Sequence, residues 1–148
     1  MDARPRIAPG APEDLGAIAD LYHHYVRTSP ATFEVEPRTD EAWRSWFDGF
    51  GERRRYRLLV ARDDERVLGY ASSSIFRPRA AYGPTVETSV YLDQGSTGRG
   101  VGTAILSALV AKLDTEDVHR ACAGIGLPNP ASVRLHERLG YRHVGTFT

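Results

Sequence analysis

The chain has 148 residues, 41% of them hydrophobic and 26% charged, a balance that suits a compact domain with a core of its own. Lys plus Arg and Asp plus Glu both total 19, so the formal net charge is zero; no overall field recruits nucleic acid or an anionic membrane, and any anion must be held locally. The single cysteine, Cys122, cannot form an internal disulfide, the N-terminal stretch lacks the apolar core of a signal peptide, and no run is long enough to span a bilayer, so the expected compartment is the cytoplasm.

In chain order, Arg4–Pro9 reads as a short first strand. Leu15, Ile18, Ala19, Tyr22, Tyr25 and Val26 then recur at helical spacing, and Pro12 ahead of Glu13 and Asp14 suits the start of that helix. Residues 29–40 read as a loop from their prolines and polar content. Trp43, Trp46, Phe47 and Phe50 mark a second amphipathic helix, closed by Gly49 and Gly51. Tyr56–Arg62 and Arg66–Phe76 flank an acidic turn and read as an antiparallel strand pair. Pro84–Leu92 alternates, with Val86, Thr88, Val90 and Leu92 on one side and Glu87, Ser89 and Tyr91 on the other.

From Val101 onward, Ala104, Ile105, Ala108, Leu109 and Leu113 form one helical stripe. His119–Leu127 reads as a fifth strand. Asn129 and Pro130 supply an N-cap and a first-turn proline for a last helix that Gly140 ends. Tyr141–Thr148 reads as a final strand. No repeat, low-complexity tract or linker interrupts this order, so residues 1–148 are expected to form one domain.

The stretch TGRGVGTAIL, Thr97 to Leu106, places glycines at 98, 100 and 102 immediately before a helix. A helix N-terminus carries unpaired N–H groups and partial positive charge, so it can hold a phosphate without side-chain cations. Taken alone, the turn fits equally a tight strand-to-helix connection. Two familiar phosphate loops are ruled out by the letters. There is no Lys followed by Ser or Thr after the last glycine, and a dinucleotide fingerprint would need glycine where Thr103 stands and an acidic residue after the next strand.

The segment from Thr97 through Gly98, Arg99, Gly100 and Val101 to Gly102 resembles the pyrophosphate loop of the GCN5-related N-acetyltransferases. Its first position, usually Gln or Arg, is Thr97 here. The stretches ATFE, FRPRAAYGPTVE, TVETSVYL and NPASVRLHERLGYRHVG further resemble the branch of that family containing phosphinothricin and methionine sulfone or sulfoximine acetyltransferases. The resemblance implies an α/β fold with a mixed, largely antiparallel twisted sheet flanked by helices. It also implies acetyl-CoA as acetyl donor, a small amino-acid-like amine as acceptor, and a homodimer. Members of the branch usually continue past the equivalent of VGTF with another strand segment, and the expectation here is a domain without it.

The same resemblance distributes roles. Glu87 would deprotonate the acceptor and His136 would return a proton to sulfur. The main chains of Val90, Tyr91 and Leu92 would pair with the pantetheine arm, Gly98, Arg99, Gly100, Val101, Gly102 and Thr103 would hold the pyrophosphate, and Asn129 would lie near the cofactor. Arg77 and Arg79 would hold the acceptor carboxylate, beside Glu87, Thr88 and Ser89, with Phe33 and Tyr82 as pocket walls. Each has a plainer alternative: a solvated strand glutamate, a core-edge histidine, a helix-capping asparagine, an arginine-bearing surface loop. Acetylation of a protein N-terminus or a polyamine, and a non-catalytic acyl-CoA-binding module, remain alternatives to the small-acceptor enzyme. No Cys or His cluster has zinc spacing, so no metal is expected. The basic run at Glu52–Arg57 reads as a solvated helix end rather than a nucleic-acid site.

Overall fold

The computed structural model describes residues 5–28, 38–51, 54–64, 66–77, 81, 83–98, 100–126 and 128–146. Its elements are β1 (Arg6–Pro9), α1 (Leu15–Thr28), α2 (Asp40–Asp48), β2 (Leu58–Asp63), β3 (Arg66–Ile75), β4 (Thr85–Leu92), α3 (Val101–Leu113), β5 (Arg120–Cys122) and α4 (Pro130–Arg138). The five strands lie in the sheet in chain order. Pairs β1–β2, β2–β3 and β3–β4 are antiparallel and β4–β5 is parallel, which is the mixed, largely antiparallel sheet expected.

The sheet is covered on both faces, which is why β2 reads as a continuous apolar run rather than an alternating one. Leu59 and Ala61 of β2 join Ala71, Val86 and the α3 residues Val101, Ile105, Leu106 and Leu109 on one face. Leu58 and Val60 join Ile18, Tyr22, Trp43 and Tyr70 on the other, beneath α1 and α2. α1 and α2 are tied together by His23, whose Nε2 accepts from the Arg38 main-chain N–H at 3.1 Å and from the Trp43 indole N–H at 3.3 Å. The Arg38 guanidinium lies over the Tyr22 and Trp43 rings, 4.5 and 4.7 Å from their centroids. At the start of α1, the buried Asp14 accepts both arms of the Arg62 guanidinium and the Ala11 N–H. This fixes the helix entry to β2.

Two strand expectations are corrected. The fifth strand is confined to Arg120–Cys122 rather than running from His119 to Leu127, because β5 pairs with β4 only at Thr85↔Arg120, Val86↔Ala121 and Glu87↔Cys122. Beyond Cys122, residues 123–126 have no partner strand among the described residues. Of the expected final strand, Tyr141–Thr146 lies within the described residues and forms no ladder, and Val144 is 95% exposed. An alternating pattern supplies a face for burial, but a strand also needs a neighbouring edge.

Candidate active site

The short β4–β5 ladder shapes the site. The two chains run side by side for three residue pairs and then separate, leaving a cavity of about 50 Å³ lined by Thr88, Ser89, Val90 and Tyr91 on one side, Ala123, Gly124, Ile125 and Gly126 on the other, and Asn129, Ser132 and His136 of α4 and its cap. The register shows which main-chain groups face this gap. Asp93 N–H bonds to Leu68 O at 2.8 Å, and β3 and β4 keep one register from Gly69↔Leu92 to Ile75↔Val86. Bonded and non-bonded pairs alternate along an antiparallel ladder. Ser89 and Tyr91 therefore turn their N–H and C=O toward β3, while Val90 and Leu92 turn theirs toward the gap. The Leu92 carbonyl is taken by the Tyr25 hydroxyl at 2.6 Å. The expectation that three consecutive main chains face one ligand arm is thus not met at Tyr91, whose ring packs against Tyr22, Tyr25 and Tyr70; Val90 is left with both of its main-chain groups on the open edge.

Beside this gap, the glycine turn opens α3. Gly98 and Gly100 have φ of +76° and +80°, the left-handed region that an L side chain enters only with strain. A Cβ on either would meet nothing within 4 Å, so the main chain there is bare to an approaching ligand. Gly102 differs: a Cβ would lie 3.2 Å from both Leu135 Cδ2 and Leu92 Cδ1, so its role is close packing of α3 on α4 and β4. The first bond of the helix is Ala104 N–H to Gly100 O at 3.0 Å, which leaves the N–H groups of Val101, Gly102 and Thr103 ahead of it as anion donors. Thr97, at the position where the family usually has Gln or Arg, donates its hydroxyl to Gln94 O at 3.0 Å. It closes its own turn and contributes no cation.

Glu87 and His136 lie on opposite faces of the sheet; His136 lines the gap, and Glu87 stands on the paired part of β4, opposite Cys122. Glu87 is half-buried on the α1–α2 side, with Oε1 3.8 Å from where a Cβ on Gly124 would stand. His136 stands on the α3–α4 side, is buried, and its Nδ1 lies 2.7 Å from Ser132 O. A carbonyl only accepts, so Nδ1 carries the proton of that bond and Nε2 is the atom that gains or loses one. Asn129 caps α4 by accepting the Ser132 N–H on Oδ1 at 3.2 Å while also lining the cavity; capping and lining coexist. Thr88, next to Glu87 in sequence, points to the opposite face, where its hydroxyl lies 2.8 Å from that of Tyr141.

Arg77 is not brought to Glu87. It is exposed, folded over the Phe76 ring at 4.3 Å, and donates to Phe76 O at 2.7 Å. Phe33, Arg79, Tyr82 and Arg99 lie outside the described residues. Sequence reasoning missed Ser132, Tyr141 and the wall of residues 123–126. The signal for Tyr141 was present, since a glycine that ends a helix folds the next residue back on the last turn.

Two half-buried phenols give the protein an alkaline signature. Burial raises Tyr25 above its ordinary 10.0, opposed by its bond to Leu92 and assisted by Asp93. Burial also raises Tyr141, opposed by its bond to Thr88 and assisted by Cys122. Above pH about 10 the folded protein therefore holds protons that the unfolded chain has released, so stability present below that pH falls as the pH rises through the raised values. Melting temperatures between about pH 9 and 11 should fall, and the fall should be shallower in Tyr25→Phe/Tyr141→Phe than in the unsubstituted protein. Equal slopes would rule out these phenols as its source.

A sheet opened beside a parallel edge strand, next to a glycine-turned helix start, defines a class that comparison makes explicit. The chain belongs to the GNAT acetyltransferase family, whose model matches residues 18–141, and it is an acetyl-CoA-dependent N-acetyltransferase. Among its relatives, the phosphinothricin N-acetyltransferase of Streptomyces coelicolor is 50% identical over 147 residues, covering 98% of this chain and 86% of that one. The L-methionine sulfoximine/L-methionine sulfone acetyltransferase of Pseudomonas aeruginosa is 36% identical over 133 residues, covering 89% and 77%. The crystal structure of a phosphinothricin acetyltransferase from Sinorhizobium meliloti in complex with acetyl-CoA superposes with a TM-score of 0.91 at 33% identity, over 97% of this chain and 77% of that one.

Proposed function

We propose that the protein transfers the acetyl group of acetyl-CoA to the amine of a small amino-acid-like acceptor of the phosphinothricin or methionine sulfone and sulfoximine type. The observation that supports this reading is the divergence of β4 from β5, with His136 lining the gap on one sheet face and the Glu87 carboxylate near its Gly124 wall on the other. Acetyl transfer to an amine must remove a proton from the nitrogen and return one to the sulfur, and a carboxylate and an imidazole on opposite faces of the sheet are suited to those opposite demands.

The residues present fit acetyl-CoA. The bare turn at Gly98 and Gly100 and the N–H groups of Val101, Gly102 and Thr103 suit its pyrophosphate, with Arg99 in the same loop. The open edge at Val90, with Leu92 N–H and Asn129 beside it, suits the pantetheine arm. When bound, acetyl-CoA supplies the thioester carbonyl that the amine attacks. Glu87 accepts the ammonium proton, directly or through water. The Val90 N–H, facing the gap, donates to the carbonyl oxygen as charge develops there. His136, with a second proton on Nε2 beside the one Nδ1 shares with Ser132 O, would give the Nε2 proton to the departing sulfur and be left as the neutral ring. By resemblance the acceptor carboxylate would fall to the arginine stretch of Arg77 and Arg79, whose forks match it bidentately; Arg77, folded onto Phe76, would have to swing away from that ring and carbonyl to meet it. Ser89, on the same face as Glu87, is assigned to the acceptor side; Phe33 and Tyr82 are assigned there by resemblance alone. A homodimer and a cytoplasmic location complete the proposal, both resting on resemblance and sequence alone.

Thiol release from acetyl-CoA tests the acceptor class directly. Phosphinothricin, methionine sulfone and methionine sulfoximine should support turnover, and ordinary amino acids, spermidine and a short peptide should not. Turnover confined to spermidine or the peptide would replace this acceptor class with the polyamine or N-terminal one.

A further inference from the structure

The turn that ends α4 has a second consequence. Gly140 N–H bonds to Glu137 O at 3.1 Å and Tyr141 N–H to His136 O at 3.0 Å, with Gly140 at φ +91°. These are the paired bonds of a Schellman helix end, which packs the residue after the glycine against the residue five positions before it. Here those two are Tyr141 and His136, and their rings meet edge to face, 5.0 Å between centroids and 86° between planes. The Tyr141 hydroxyl then reaches the hydroxyl of Thr88 at 2.8 Å, and Thr88 is only 2% exposed on β4. A rigid strand thus anchors a phenol whose ring lies against the imidazole.

His136 needs such a contact. Its bond from Nδ1 to Ser132 O pins one atom of the ring, and a ring pinned at one atom can still rotate its plane. A perpendicular ring in van der Waals contact removes that freedom. We propose that Tyr141, anchored by Thr88, is a positioning residue for His136, holding the imidazole so that Nε2 addresses the cavity between β4 and β5. The inference rests on His136 as proton donor. It also gives Thr88 a role different from the acceptor contact expected by resemblance. A phenol is protonated at neutral pH, and burial only raises it further, so the anchor is a pair of neutral hydroxyls that puts no charge beside the imidazole.

Tyr141→Phe keeps the ring and the helix end while removing one hydroxyl; Thr88→Val removes the other. Each should lower kcat on the order of ten-fold, as expected for a misplaced proton donor, with the KM for acetyl-CoA changed by less than about two-fold. The double variant should be no slower than either single one, because both break the same bond. Nitrogen-15 spectra of the neutral His136 ring should place its proton on Nδ1, and in Tyr141→Leu, which removes the ring contact, that signal should move toward a mixture of tautomers. Unchanged kcat in both hydroxyl variants with an unmoved His136 signal overturns the inference. So does a loss seen only in melting temperature. His136→Ala separates this from the reading beneath it. If His136→Ala leaves turnover intact, the proton-donor assignment falls and the positioning role with it. If it abolishes turnover while the Tyr141 and Thr88 variants retain theirs, only the positioning role falls.

Discussion

Glu87→Gln should reduce kcat by about 10²–10⁴-fold, the usual contribution of a positioned general base, while acetyl-CoA binds as before. The substitution preserves the shape of the side chain and removes its ability to take a proton. The acceptor arrives as an ammonium ion, and only its neutral form attacks the thioester, so the missing base is felt in the chemical step. Glu87 is half-buried and lies across from Gly124 rather than beside the glycine turn, so the affinity for acetyl-CoA, measured by calorimetry, should stay within error. Raising the pH should recover part of the lost rate by deprotonating the free amine in solution. Unchanged turnover in Glu87→Gln would remove Glu87 from the mechanism, whereas a loss matched by an equal loss of acetyl-CoA affinity would make it a binding residue.

Gly100→Val should weaken acetyl-CoA by about 5–30-fold, the equivalent of the 1–2 kcal/mol that an L side chain pays in the left-handed region. Gly100 caps α3 at φ +80°, and a β-branched residue there relieves its strain by rotating the peptide that aims the Val101, Gly102 and Thr103 N–H groups. The site for pyrophosphate is the part disturbed. S-acetyl-N-acetylcysteamine carries the same thioester without a pyrophosphate, so its kcat/KM should be nearly equal in the variant and the unsubstituted protein. Equal acetyl-CoA affinity in the two proteins would show that the turn is a connection and not an anion site. Equal losses with both donors would point instead to damage at the β4–β5 gap.

Much of this arrangement is legible from local chemistry. The α3 stripe from Val101 to Leu113 and the alternation of β4 each specify an element and its buried face through periodicity alone. Asn129 followed by Pro130, and Gly140 after Leu139, mark both ends of α4. The glycine turn is legible too, because positive φ at Gly98 and Gly100 is a cost that other residues would have to bear. Less legible are the features that depend on what lies alongside. Residues 119–127 alternate as a strand should, yet only Arg120–Cys122 find β4 beside them. Arg77 reads as a carboxylate clamp, but an exposed guanidinium settles on the nearest ring and carbonyl, those of Phe76.

The sequence by itself determined the helices, most of the strands, the caps of α4, the glycine turn and the family, because each depends on side chains within a few residues of one another or on a pattern of letters. Only the tertiary structure decided where β4 and β5 part, which main-chain groups of Val90 and Leu92 face the opening, and that Glu87 and His136 lie on opposite faces of the sheet. It also joined Thr88 to Tyr141 across 53 residues of chain. Such contacts follow from sheet register and from the packing of α4 against the sheet, and neither is encoded in any single stretch. A register is chosen by the sum of burial on both faces, and that sum exists only once the whole sheet has formed.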